Sequence, residues 1–182
     1  MQNVGKKFEL QFKKSVPEYC YLHRLKDSSQ SFINSGLSDF SWENPCDFFL
    51  FDTQRFVFWG LELKSTKGRS ISFHIDKYDK KNKMLKWHQI QGLTEISKFN
   101  GTVAGILSNF RDEINQMERT YFQRIEDFHT MKKQINKTSY NEMDLILNNA
   151  IKVKGTKLRV NHVWDIDSLL KQIKVKRGNF YE

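Results

Sequence analysis

The chain has few cysteines and no long apolar run, and both shortages exclude classes of protein. Its 182 residues include two cysteines, Cys20 and Cys46, with no Cys-x-x-Cys spacing. This usage excludes a disulfide framework and a cysteine zinc site, and it suits a reducing compartment. No apolar run approaches the roughly 20 residues of a membrane span, and the first ten residues contain no signal-peptide core. We therefore expect a cytoplasmic protein.

Two sequence patterns that would indicate other chemistries are also missing. The segments Lys-Ser-Thr (64–66) and Lys-Gly-Thr-Lys (154–157) lack the glycines of a phosphate-binding loop, which argues against an NTPase. The histidines show no metal-ligand spacing; they are His23, His74, His88, His129 and His162.

Acidic residues are outnumbered by basic ones. The chain has 30 Lys and Arg against 21 Asp and Glu, a net charge of +9. A basic domain of this size is a candidate for binding polyanions, nucleic acid first, although a soluble protein that is merely basic fits the charge equally well. A hydrophobic content of 38% argues against disorder, and the length fits one domain over residues 1–182.

Periodicity and turn residues predict an α/β domain with a layered core. An apolar residue at every fourth position from Val4 to Val16 predicts a first helix, ended by Pro17. Residues 27–45 are rich in Ser, Asn and Asp and are typical of a long loop. We predict further strands over 19–25, 71–75, 102–108 and 119–125, a mobile lysine-rich loop over 77–86, and helices over 87–99, 127–135, 139–150 (capped by Ser139 with Glu142) and 165–173 (capped by Asp165 or Asp167).

The segment 44–66 places three charged residues, Asp47, Glu62 and Lys64, in a run of apolar and aromatic residues that predicts a hairpin. A loop over 53–56 sets Asp47 directly opposite Glu62, so their side chains share a face of the sheet. Lys64 shares that face because it lies two residues further along the strand. Three charges therefore converge at one spot.

Two carboxylates on one face can hold a hard divalent cation such as Mg²⁺, with the backbone carbonyl of Leu63 as a further ligand. The metal polarises a phosphoryl oxygen and lowers the pKa of a bound water. Lys64 can then orient that water or balance charge on the phosphate. The alternative is an ion pair of Lys64 with Asp47 or Glu62 at the end of a strand, and the spacing alone leaves both interpretations open.

Four ordered segments carry a resemblance to a known family: NVGKKFE (3–9), CDFFLFD (46–52), LELKSTKGRSISF (61–73) and WHQIQGL (87–93). Together they resemble the PD-(D/E)XK nuclease superfamily and, within it, the RecU-type Holliday junction resolvases, over about the first 110 residues. The resemblance implies a restriction-endonuclease-like core, with a mixed central sheet flanked by helices. It also implies a homodimeric endonuclease of DNA recombination and repair that cuts four-way junctions with Mg²⁺, for which Mn²⁺ can substitute.

The resemblance also implies roles for individual residues. Asp47 and Glu62 match the metal ligands, and Lys64 matches the catalytic lysine. Glu9 matches an additional acidic residue near the metal, its alternative being a solvated carboxylate on a helix. Gln89 matches a glutamine that contributes to the site, its alternative being a surface amide.

Three features depart from the family pattern and suit a phage-encoded enzyme acting in the host cytoplasm. Cys46 stands where RecU-type chains have Thr, and we expect it to be a small buried residue. The lysine-rich stretch 77–86 is longer than in the family. Residues 27–45 occupy the position of the stalk that enters the junction, but they are less basic. The cations predicted to contact DNA phosphates are Lys67, Arg69, Lys77, Lys80, Lys81, Lys83 and Lys86.

Two other functions remain open from the sequence. One is a nuclease of the same fold with another DNA substrate, in restriction or repair. The other is a non-catalytic, basic DNA-binding protein. Paired carboxylates argue against the second, because carboxylates repel DNA unless a cation lies between them.

Overall fold

A computed structural model describes residues 4–25 and 44–175. The predicted loop 27–45, with its proposed stalk role, lies outside the described residues except for its last two positions. The helices are α1 (Val4–Ser15), α2 (Trp87–Ile96), α3 (Ile125–Gln134), α4 (Glu142–Leu147) and α5 (Ile166–Gln172). The strands are β1 (Cys20–Arg24), β2 (Phe48–Asp52), β3 (Val57–Thr66), β4 (Ile71–Ser72), β5 (Thr102–Asp112), β6 (Met117–Arg124), β7 (Ser139–Tyr140), β8 (Ile151–Val153), β9 (Gly155–Lys157) and β10 (His162–Trp164).

A six-stranded sheet in the order β1-β2-β3-β5-β6-β8 forms the centre of the molecule. β3 and β5 are parallel and are connected through α2, whereas the other neighbours in this sheet are antiparallel. Two hydrophobic clusters cover its faces, one formed with α1 and α5 and the other with α2 and α3. The predicted α/β class, with a mixed central sheet flanked by helices, is confirmed.

Helix α1 forms where the spacing of its apolar residues predicts a helix. Phe8 and Phe12 lie one turn apart and are both about 1% exposed, in the same cluster as Trp59 and Leu61 of β3. The helix ends at Ser15, two residues before Pro17. This placement fixes α1 across the face of β3 that carries its apolar side chains.

Helix α2 lies against the segment that enters β2. A Cβ atom at Gly92 would lie 2.4 Å from the Cα of Pro45 and 2.5 Å from its carbonyl oxygen, so only glycine allows this approach. Ile90 and Leu93 are fully buried beside Cys46, which is 2% exposed as predicted. The helix therefore covers the strands that carry the charged residues, on the face opposite α1.

Several predicted elements differ from those observed. The α4 cap is Asn141, whose side chain accepts a hydrogen bond from Asp144, and not Ser139, which pairs with Ser72 between β4 and β7. The stretch 77–86 is a partly exposed loop, as predicted, although Leu85 near its end is fully buried; its mobility stays a prediction. Strands β8, β9 and β10 were not predicted. Among the described residues, no helix is both long and apolar enough to cross a membrane.

Candidate active site

The hairpin of β2 and β3 has the register expected from its loop length, running from Asp52 opposite Val57 to Phe48 opposite Leu61. Beyond Phe48, two hydrogen bonds made by Asp47 take the place of the regular pairing between the strands. Its amide donates to the carbonyl of Leu61 at 3.1 Å, and its Oδ2 accepts from the amide of Leu63 at 2.8 Å. The Asp47 carboxylate is thereby held against β3 beside Glu62.

Glu62 and Lys64 form an ion pair on the same strand. Lys64 Nζ lies 2.5 Å from Glu62 Oε1, and the side chain of Glu62 is 0% exposed while that of Lys64 is 15% exposed. The intervening Leu63 and its neighbour Leu61 belong to the cluster under α1, on the opposite face. The three charges converge on the α2 face, as the register predicted.

Burial dominates the electrostatics of the two carboxyl groups. Loss of solvation raises the pKa of Glu62 to about 8; the Lys64 ammonium opposes this shift and Asp47 adds to it. Burial also raises the pKa of Asp47, against the lowering effects of Lys64 and of the amide of Leu63. Each group is thus costly to ionise without further positive charge.

The donor set fits a hard divalent cation. Glu62 Oε2 is buried, and it accepts no hydrogen bond from the described residues when both acids are ionised, because the hydrogen-bonding neighbour of Glu62 other than Lys64 is the carboxyl of Asp47. A cation held by Asp47 and Glu62 would satisfy it with the oxygen ligands that Mg²⁺ prefers. In the described part of the chain, no group of three or more His, Cys, Asp or Glu side chains is arranged to hold a metal. The remaining ligands would therefore be backbone, water or phosphate, as is usual for Mg²⁺.

Two further predicted site residues have well-defined contacts. Glu9 is not freely solvated: its carboxylate pairs with Arg24 at 2.7 Å, and its charge contributes to the raised pKa of Asp47. The side-chain oxygen of Gln89 accepts from the amide of Lys86 at 2.9 Å, at the start of α2. The catalytic roles of Glu9 and Gln89, and the ligand role of the Leu63 carbonyl, stay predictions.

A buried hydroxyl pair beside the site was not anticipated from the sequence. Ser108 lies next to Lys64 in the parallel register of β3 and β5, and its Oγ is 2.9 Å from the hydroxyl of Tyr140. Burial raises the pKa of Tyr140, and the nearby Glu62 charge adds to this effect. A polar residue at the end of the apolar run 102–108 was the available signal, but locating it required the pairing of β5 with β3.

A second polar cluster anchors β3 from the α1 face. Arg111 Nε donates to Ser65 Oγ at 3.0 Å and to Asn109 Oδ1 at 2.9 Å, and its guanidinium also reaches Gln11 at 3.3 Å. Ser65 follows Lys64 directly. The network therefore fixes the backbone just beyond Lys64, the predicted catalytic lysine.

The cations predicted to contact DNA lie in the segments after β3. Lys67 pairs with Glu113 at 2.6 Å, whereas Arg69 is exposed. Lys83 donates to Thr138, and Lys86 donates to Asn82. Within the stretch 77–86, the exposed lysines are Lys77, Lys80 and Lys81. Their contact with DNA stays a prediction.

Comparison with known proteins adds a family. No family model matches the chain. The SPbeta prophage-derived uncharacterized protein YotM of Bacillus subtilis (strain 168) is 30% identical over 180 residues, covering 92% of this chain and 85% of that protein. The chain belongs to the YotM family.

Among solved structures, Hjc, a Holliday junction resolvase from the archaeal hyperthermophile Archaeoglobus fulgidus, matches with a TM-score of 0.45 and 12% identity. The match covers 82% of this chain and 93% of Hjc. A likeness of this extent does not by itself transfer an activity.

Proposed function

We propose that this YotM-family chain is a divalent-metal-dependent DNA endonuclease and that its substrate is the four-way (Holliday) junction. The observation that carries the proposal is the convergence of Asp47, Glu62 and Lys64 on one face of the sheet, with one Glu62 oxygen buried and accepting no hydrogen bond from the described residues when both acids are ionised. A purely structural ion pair needs only one of the two carboxylates.

Asp47 and Glu62 would hold Mg²⁺ or Mn²⁺, with the Leu63 carbonyl beside them. When bound, the metal supplies polarisation of a phosphoryl oxygen and a water of lowered pKa. The amide of Leu63 fixes the Asp47 carboxylate, and Glu62 fixes the ammonium of Lys64. Because the Lys64 side chain keeps 15% of its exposure, it can reach a phosphate at the surface and balance the charge that develops there.

The choice of a junction substrate has separate support. The four ordered segments resemble RecU-type resolvases, and the net charge of +9 suits a DNA ligand. A homodimer would bring two sites to the two strands that a junction requires to be cut. The prophage origin of YotM favours a phage-encoded enzyme that acts in the host cytoplasm.

A nicking assay tests the proposal directly. Synthetic four-way junctions and linear duplexes of matched sequence are incubated with Mg²⁺ or with EDTA, using the wild type, Asp47→Asn and Glu62→Gln. Asparagine keeps an acceptor for the amide of Leu63, so the fold should persist. We expect Mg²⁺-dependent nicking of junctions by the wild type and none by either variant, with junction binding in EDTA retained. Glu95→Gln, an exposed carboxylate paired with Lys98, is the matched control.

Each of the other possible results of this assay would contradict a different part of the proposal. Cleavage by Asp47→Asn at the wild-type rate would remove these carboxylates from the chemistry. Equal cleavage of duplex and junction would leave a nuclease with another DNA substrate. Binding without cleavage under any divalent metal would indicate a non-catalytic DNA-binding protein.

A further inference from the structure

The hairpin formed by β9 and β10 lies in the part of the chain that the family resemblance does not cover. Its base is fixed: Trp164 is buried, its amide donates to Ser15 Oγ at 2.9 Å, and Gly155 lies directly against its ring. The turn is closed by the amide of Leu158, which donates to the carbonyl of Asn161 at 2.7 Å. The tip therefore extends from a rigid base.

The hairpin and the strand before it carry charge of one sign. Residues 151–164 include four Lys and Arg and no carboxylate. Lys154 and Arg159 are exposed and form no ion pair with any described residue, and Lys157 donates to Gln116 at 2.7 Å. Carboxylates do lie beside other parts of this surface, Glu118 beside His162 and Glu142 near Lys152. The charges of Lys154 and Arg159 are not neutralised in this way, so they complement an external polyanion.

Two apolar side chains flank the cation at the tip. Leu158 is 51% exposed and Val160 is 72% exposed, on either side of Arg159. Apolar side chains among phosphate-binding cations are a known arrangement for proteins that touch sugars and base steps in the minor groove.

The hairpin rises from the end of the sheet towards which β3 runs from the active site. β8 runs parallel to β3, because β3 is parallel to β5 and the two antiparallel pairings that follow, β5 with β6 and β6 with β8, restore the direction. This register places Val153 level with Thr120, Asn109 and Ser65. The chain therefore leaves the sheet at Val153, one residue beyond the level of Lys64 and three strands away. The hairpin then packs against α1, on the face of the sheet opposite Asp47 and Glu62, since Trp164 lies in the same cluster as Phe8 and its amide donates to Ser15.

We propose that the β9–β10 hairpin is a second DNA contact, in which Lys154 and Arg159 bind backbone phosphates while Leu158 and Val160 lie against the sugar edges of the same segment. This inference rests on the proposed function, because it takes DNA as the ligand. It gives the molecule an anchoring point for DNA separate from the acidic site.

The charge contribution is tested by salt-dependent binding. Fluorescence anisotropy of a labelled junction is measured in EDTA over a range of KCl for the wild type and for Lys154→Ala/Arg159→Ala. The control, Lys98→Ala/Lys171→Ala, removes the same charge near the start of β5 and near the β2–β3 turn, at the other end of the sheet. We expect the hairpin variant to lower the slope of log K against log salt by about 1.8, at about 0.9 per phosphate contact. We expect the control to keep the wild-type slope.

The tip is tested with Leu158→Ser/Val160→Ser. We expect weaker junction binding at constant slope, because no charge is lost. A hairpin charge variant that matches the control overturns the inference. So does a tip variant that dissociates into smaller species in sedimentation while binding DNA normally, since the tip would then be a protein interface. Wild-type protein that neither binds nor nicks DNA overturns the proposed function itself, whereas nicking with an unaffected slope overturns this inference alone.

Discussion

Lys64 fits both interpretations that the sequence left open, a partner in an ion pair and a lysine that faces the predicted metal site. It is the ion-pair partner of Glu62 at 2.5 Å, and its side chain is also partly open to solvent on the face where Asp47 and Glu62 meet. A buried carboxylate without a partner would be expensive, and the lysine reduces that cost only in part, because burial still raises the pKa of Glu62 to about 8. The pair is compatible with catalysis because only one Glu62 oxygen is used.

We expect Lys64→Met to lower the single-turnover rate of junction cleavage by roughly 10², the cost of losing one preorganised electrostatic stabiliser. The measurement uses saturating Mg²⁺ and a thermal melt to verify folding. Lys98→Met is the matched control, since Lys98 also pairs with a glutamate, the exposed Glu95, and lies outside the predicted DNA contacts. An unchanged rate in a folded Lys64→Met protein would leave Lys64 with a structural role only.

At the scale of elements, local features were predictable and non-local ones were not. The register of β2 and β3 followed from a four-residue loop, so the meeting of Asp47 with Glu62 could be derived from the amino-acid sequence alone. The pairing of β5 with β3 depends on a crossover through α2, which leaves no local pattern, and so Ser108 was missed. Ser139 was misjudged as a cap because its strand partner, Ser72, is remote in sequence.

Helix α2 supplies a test of how the site is held. In Gly92→Ala the new Cβ would meet the backbone of Pro45, two residues before Asp47, and backbone atoms cannot rotate away. We expect a loss of about 1–3 kcal/mol in unfolding free energy, typical of overpacking, together with slower cleavage. Chemical denaturation and the nicking assay measure the two effects.

Gly68→Ala is the control for that variant. Gly68 is exposed, and a Cβ there would meet only the Thr66 hydroxyl at 3.3 Å. Equal stability of the two variants would show that α2 can shift on Pro45 without cost, and the tight contact would then not position the site.

At the scale of the whole molecule, the carboxylates of the site and the exposed cations lie in different places. Glu62 is fully buried and Asp47 half-buried on the α2 face, while exposed cations lie in the segments after β3 and on the β9–β10 hairpin. Affinity for DNA can therefore come from phosphate contacts that do not depend on the metal. Phosphate contacts alone do not distinguish a junction from a duplex, because the charge density along the arms is the same. The proposed junction selectivity therefore requires a match of shape, such as two sites that a homodimer would hold at a fixed separation.

That requirement gives a prediction about mixed dimers. Wild-type and Asp47→Asn chains are co-expressed with different affinity tags, and the mixed species is purified through both tags. On a plasmid with an extruded cruciform, two cuts in one encounter give linear DNA and one cut gives a nicked circle. We expect the wild-type dimer to linearise the plasmid and the mixed dimer to stop at the nicked circle, because one of its two sites lacks a metal ligand. Linear product from the mixed dimer at the wild-type rate would mean that one chain makes both cuts, and failure to recover any doubly tagged species would contradict dimerisation.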